Sequence, residues 1–251
     1  MKLKYRLKNN EFVIGTWCDI PSAATANILA KSGLDFIIID MEHGPMDFKV
    51  AQDMIFAAEA DGCEAIIRVA SQSESDILRA LDLGGSGIIV PHIETESAVR
   101  LITERSKFYP IGQRGFNPYV RAGGYNSRNN NYFEQENNNQ LVAIILEGVN
   151  AIHNLDIIVS HEHIDVVYIG AYDLSVSLGI PGEVKHEKVL SLMKSSVEKI
   201  CSRGKSAGLM IHNLDEFRFF KNIGAQFFVF KVDTSVLFDA YEKTVKELRN
   251  D

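Results

Sequence analysis

The apolar run Phe36-Ile37-Ile38-Ile39 stops at Asp40-Met41-Glu42-His43-Gly44-Pro45, which sets two carboxylates and an imidazole just past a candidate strand. Charge in the middle of a strand buried on both faces would lose hydration without compensation, whereas at the carboxyl end it can face a crevice. The pattern recurs: Trp17, Arg68, Glu147, Asp173, His212, Lys231 and Asp233 follow other apolar runs. Glu147 and Asp173, with room left for water and substrate, suit a hard divalent cation such as Mg²⁺ or Mn²⁺. Asp173 also precedes Leu174-Ser175 as a helix N-cap would. Arg68 can neutralise carboxylates, or bind an anionic substrate and its developing enolate. His43, three positions after Asp40, can form an oriented acid–base pair with it.

The elements that would position these groups read as an alternation. Candidate strands are Val13 to Trp17, Phe36 to Ile39, Ala65 to Val69, Gly87 to Val90, Leu141 to Leu146, Val166 to Ile169, Gly208 to Ile211 and Phe227 to Phe230. Between them lie segments of helical periodicity, among them Ala23 to Lys31, Phe48 to Ala60, Ser75 to Leu83, Ser97 to Lys107, Lys188 to Arg203, Asp215 to Asn222 and Ser235 to Leu248. Such βα repeats, with strands apolar on both faces, predict an α/β fold of the (β/α)8 TIM-barrel type. The expected organisation is one domain over residues 1–251, interrupted by a long segment at about 109–140 that includes two asparagine triplets, 129–131 and 137–139. Because that segment follows the fourth strand, its start is expected at the catalytic end, as a solvated loop, a lid or a subunit contact.

Composition narrows the function classes. A net charge of -7 and the absence of a basic stripe exclude a nucleic-acid binder of ordinary kind. No apolar stretch approaches the roughly 18 to 20 residues of a membrane span, and no signal-like segment follows the basic start Lys2, Lys4, Arg6 and Lys8, so a cytoplasmic protein is expected. Cys18, Cys63 and Cys201 are widely spaced and read as reduced structural thiols. The remaining histidines, His92 among them, read as surface or core residues, His212 excepted because it follows a strand.

Taken together, Gly15-Thr16-Trp17, Phe36 to His43, Ile67-Arg68-Val69, Leu81-Asp82-Leu83-Gly84, Tyr109 to Gly115 and Ile169 to Ser175 resemble the HpcH/HpaI aldolases, in the family's order over most of the chain. These are metal-dependent class II pyruvate aldolases on a barrel of the phosphoenolpyruvate/pyruvate-binding type. The resemblance implies that Glu147 and Asp173 hold a divalent cation, Mg²⁺ or Mn²⁺ with Co²⁺ as an alternative. It implies that Arg68 binds the pyruvate moiety, that His43 is the acid–base group oriented by Asp40, and that Gly170 and Ala171 receive the pyruvate carboxylate, with Tyr172 beside them. Trp17 would lie near the aldehyde pocket. Asp82 matches a carboxylate that approaches a neighbouring subunit's site, which implies a homo-oligomer, often a hexamer.

The reaction so implied is reversible cleavage of a 4-hydroxy-2-oxo acid to pyruvate and an aldehyde. Two other readings stay open at this point. Lys231 could act as a Schiff-base amine if desolvated at a strand end. Alternatively the barrel could bind an oxoacid without turnover, a reading that Ile145 supports because several family members carry a polar Gln at this position.

Overall fold

The computed structural model describes residues 2–126, 129 and 131–250; Ser127, Arg128 and Asn130, which belong to the long segment and its first asparagine triplet, lie outside the described residues. Eight parallel strands close into a barrel in sequence order: β1 (Val13–Cys18), β2 (Phe36–Asp40), β3 (Glu64–Arg68), β4 (Gly87–Val90), β5 (Leu141–Leu146), β6 (Val166–Ile169), β7 (Ser206–Ile211) and β8 (Phe227–Val232). The strands expected from sequence are all present. Their ends differ because pairing carries charged residues into the ladder: Asp40 is in register with Arg68, and Phe36 with Glu64.

Alternation along each strand sorts its side chains into two cores. Ile37, Ile39, Ile67, Ile88 and Val90 pack outward under the helices. Phe36, Ile38, Ile66, Ile89, Ala143, Ile145 and Tyr168 fill the barrel interior, where Phe36 and Phe227 stack with centroids 4.3 Å apart. Space for those rings comes from glycine. A Cβ on Gly15 would lie 2.4 Å from Phe36 Cε2 and 2.5 Å from the Phe36 carbonyl oxygen.

The barrel floor is closed by the helix Leu3–Lys8, which the basic character of the N-terminus conceals. Leu3 and Leu7, four apart and so on one helical face, join the interior cluster. Lys4 meanwhile pairs with Asp165 at 3.0 Å and donates to the Gln140 carbonyl at 3.1 Å.

The segment at about 109–140 differs from expectation in both content and place. The helix Glu96–Ser106 returns the chain to the floor before this segment begins, so its described residues lie opposite the carboxyl-end mouth and none of them lines the cavity there. It also contains the helix Tyr132–Asn139, whose polar composition hides its periodicity. Asn137 bonds both backbone groups of Phe108, at 2.7 and 3.0 Å, and Phe108, Phe116, Tyr132 and Phe133 pack edge to face or tilted.

Gly15→Ala is expected to destabilise the fold by about 1–3 kcal/mol or more, because the clash includes backbone that cannot rotate away. Chemical denaturation measures it; a midpoint equal to that of the parent would contradict this account of the interior.

Candidate active site

At the carboxyl ends of the strands the inward positions turn polar. The series Phe36, Ile38, Asp40 and Glu64, Ile66, Arg68 run up adjacent strands, so their top members meet as register partners. Arg68 Nε donates to Asp40 Oδ1 at 2.8 Å and Nη2 donates to Oδ2, forming a two-pronged pair. Arg68 Nη1 stands 3.2 Å from Glu42 Oε2, and the guanidinium carbon lies 4.5 Å from the Trp17 ring centroid. Trp17 is itself fixed by an Nε1 hydrogen bond to the Tyr168 hydroxyl at 3.2 Å. Burial opposes ionisation of Asp40, yet the bonds from Arg68 outweigh it and hold the carboxyl below its ordinary range. Burial likewise works against the charge on Arg68, and Asp40, Glu42 and Glu147 more than offset it.

Asp40 orients His43 differently from the sequence expectation. Its Oδ1 accepts from the backbone N–H groups of Glu42 and His43, at 2.9 and 3.1 Å, and not from the imidazole. Both carboxylate oxygens are engaged by Arg68, so the ring is left exposed at the rim of the cavity. Asp40 thus shapes the turn that carries His43.

The cavity at this mouth has a volume of about 510 Å³ and brings together Trp17, Asp40, His43, Arg68, Glu147, Gly170, Ala171, Tyr172 and Asp173. Glu147 is buried, and burial, reinforced by the charges of Asp173 and Glu42, pushes its carboxyl above the ordinary range despite a hydrogen bond from His92. Asp173 sits in the first turn of the helix Ala171–Ser177, whose N-cap is Gly170; the capping role that its sequence context allows is not the one observed. Gly170 lets the backbone pass close beside Glu147 without crowding it: a Cβ there would lie 3.0 Å from Glu147 Cβ and 3.3 Å from Ile145 Cγ2. Ile145 lines the same wall.

Two sequence candidates lie elsewhere. Asp82 ends the helix Glu74–Asp82 at the barrel floor and pairs with Arg114 at 3.0 Å. A single chain therefore does not bring Asp82 to the mouth. Lys231 sits at an irregularity in the β1–β8 pairing with φ 50°, so Val232 takes the inward place and the Lys231 amine bonds Asp239 at 2.6 Å. An amine held there does not line the cavity, which removes the basis of the Schiff-base reading.

Three participants escaped the sequence reading. His92 bonds Glu147 and Glu42, Tyr168 anchors Trp17, and Asp19 lines the cavity beside Asp40. Asp19 and His92 carried a legible signal, since they follow β1 and β4 as the other candidate residues follow their strands. Burial, with the nearby charges of Asp40 and Asp233, raises the Asp19 carboxyl to about 6.

Carboxylates and a guanidinium at the strand ends of a (β/α)8 barrel define an enzyme scaffold, with its chemistry at one mouth. The chain belongs to the HpcH/HpaI aldolase/citrate lyase family, whose model matches residues 14–240. It is an aldolase-type lyase of that class. It is 32% identical over 240 residues to a 2-keto-3-deoxy-L-rhamnonate aldolase of Escherichia coli, covering 96% of this chain and 90% of that one. Among solved structures, the citrate synthase SbnG is 30% identical with a TM-score of 0.90, covering 99% of this chain and 98% of the other. An HpcH/HpaI aldolase/citrate lyase family protein from Burkholderia cenocepacia is 27% identical with a TM-score of 0.93, covering 98% of each chain.

Because folding raises the Asp19 carboxyl from 3.8 to about 6, its stabilising contribution is complete below the ordinary value and is lost as pH rises through about 6. Asp19→Asn should abolish that loss. Denaturation curves from about pH 4 to about pH 7 are expected to show the parent losing stability relative to the variant; parallel curves would contradict the assignment.

Proposed function

We propose that the chain is a divalent-metal-dependent class II aldolase that reversibly cleaves a 4-hydroxy-2-oxo acid to pyruvate and an aldehyde. The observation that carries this reading is the convergence of Arg68, Glu147 and Asp173 on one cavity. The donor set fits a hard cation: two carboxylates that repel each other, beside a glycine that does not crowd Glu147. Among the described residues no three His, Cys, Asp or Glu side chains group around one metal position. Two protein ligands with water and substrate filling the rest is the habit of Mg²⁺ and Mn²⁺, with Co²⁺ an alternative.

The bound cation would supply Lewis acidity at the 2-oxo group. Arg68, held by Asp40 and Glu42, adds positive potential where enolate charge develops. Ala171, at the start of the helix Ala171–Ser177, offers its backbone N–H to the substrate carboxylate, while Gly170, whose own N–H donates to the Leu146 carbonyl at 3.0 Å, lines the place where it sits. His43, exposed at the rim, takes the 4-hydroxyl proton through water, a contribution of about 10² to 10⁴ in rate. Trp17 and Tyr172 flank the space left for the aldehyde. The likeness to SbnG, a citrate synthase, favours a second reading in which the same oxoacid half of the mouth faces another condensation partner.

Assembly into a homo-oligomer, of which a hexamer is one form, belongs to the same proposal. The helix Asp233–Asn250 buries only Asp233 and leaves Leu237, Phe238, Tyr241 and Leu248 exposed, a contiguous apolar face of the sort that associates. An Asp82 contribution to catalysis would come across such an interface. No described helix is long and apolar enough to cross a membrane, and the cytoplasmic location expected from the sequence is kept as part of the proposal.

With Mg²⁺ or Mn²⁺ present, pyruvate release from 4-hydroxy-2-oxo acids should be lost on chelation and restored by the ion. His43→Ala should lower kcat by about 10² to 10⁴. Arg68→Lys, which keeps charge but not the fork, should lower it by at least about 10². Metal-independent turnover, or full activity in Arg68→Lys, would contradict the reading; citrate formation without pyruvate release would favour the second one.

A further inference from the structure

We propose that His92 is the positioning residue for Glu147: its backbone N–H and imidazole together clamp one carboxylate oxygen, so that the other is the one offered to a divalent cation. This rests on the reading that Glu147 and Asp173 hold such an ion. His92 follows β4 after Pro91 and adopts φ 59°, a left-handed conformation uncommon outside glycine. Strain of that kind persists where the surroundings over-determine it. Here Gln72 Nε2 donates to the His92 carbonyl at 2.9 Å, and Ile93 N donates to the Ile145 carbonyl at 3.2 Å, pinning the turn from two sides.

The consequence of that backbone is that two nitrogens of one residue reach one atom, the backbone N–H as a hydrogen-bond donor and the ring in an ion-pair contact. The His92 N–H lies 2.6 Å from Glu147 Oε1, and His92 Nδ1 lies 2.7 Å from the same oxygen. Among the described residues Glu147 Oε2 accepts no hydrogen bond. It faces Gly170, where an added Cβ would approach it to 3.4 Å. His92 Nε2 stands 2.8 Å from Glu42 Oε1, and Glu42 in turn meets Arg68. One imidazole therefore ties the Glu147 carboxylate to the guanidinium that serves the oxoacid.

An ion pair this exposed contributes little to folding: the His92 side chain is 64% accessible, so its removal leaves the barrel intact. Its effect should instead appear in metal affinity, where hydrogen-bond partners of ligands are typically worth about 10- to 100-fold. His92→Gly and His92→Asn both tolerate the left-handed backbone and keep the N–H while losing the ring.

The test is titration of the full chain with Mn²⁺ alone, following free Mn²⁺ by electron paramagnetic resonance, with thermal unfolding measured in parallel without metal. Both variants are expected to bind Mn²⁺ about tenfold or more weakly than the parent, with the metal-free unfolding midpoint unchanged. Parental affinity in either variant would overturn the role of His92. A parent chain that binds no Mn²⁺ would instead overturn the ligand assignment of Glu147 and Asp173 beneath it.

Discussion

One buried ion pair organises the mouth of this barrel: the Arg68 guanidinium forked onto Asp40 across the β2–β3 register. Two charges withdrawn from water must be satisfied in full, and removing either partner of such a pair typically costs about 3–5 kcal/mol. Here the satisfaction is complete on the acid side. Asp40 accepts from Arg68 with both oxygens and from two backbone N–H groups with one of them. The same bonds that stabilise the carboxylate fold the turn from Asp40 to His43, and so place a histidine at the rim. On the basic side, Glu42 and the face of Trp17 complete the surroundings of the guanidinium. A positive group held this firmly costs little reorganisation when negative charge develops beside it, which is the physical basis of electrostatic catalysis.

The molecule separates what stabilises it from what reacts. At the floor, the Leu3–Lys8 helix plugs the interior, and the Phe108 cluster anchors the long return segment through Asn137. At the mouth, the alternation that fills the interior with Phe36, Ile38 and Ile66 delivers Asp40 and Arg68 one layer higher. Two of the four non-glycine residues with positive φ among the described residues stand at that end: His92, at the tip of β4, and Lys231, in β8. At His92 the consequence is a clamp on Glu147; at Lys231 it is the outward rotation of an amine that sequence position alone would have placed inside.

The strands were legible because a parallel barrel requires short β-branched runs buried on both faces, and little else in a sequence looks like that. That Asp40, Arg68, Glu147 and Asp173 line one cavity was legible for the complementary reason, that a charge at or shortly past the end of such a run has one sensible place to go. Features set by tertiary pairing were not. The partner of Asp40 could be imidazole or guanidinium on local spacing, and only the register across β2 and β3 decides for Arg68. Tyr132–Asn139 has few apolar residues to show a period, so its helicity depends on contacts with Phe108. His92 follows the apolar run of β4 as the other residues of the mouth follow theirs, but its part in the mouth arises from a backbone conformation that sequence does not display.

In the proposed reaction, Arg68 and the Glu147–Asp173 pair act on one small oxoacid from two sides of the same cavity. A crystal structure of the protein soaked with Mg²⁺ and pyruvate is the decisive test. The ion should lie between Glu147 and Asp173, with pyruvate spanning from it to hydrogen-bond distance of Arg68. An ion bound elsewhere, or pyruvate lodged without contact to Arg68, would contradict it.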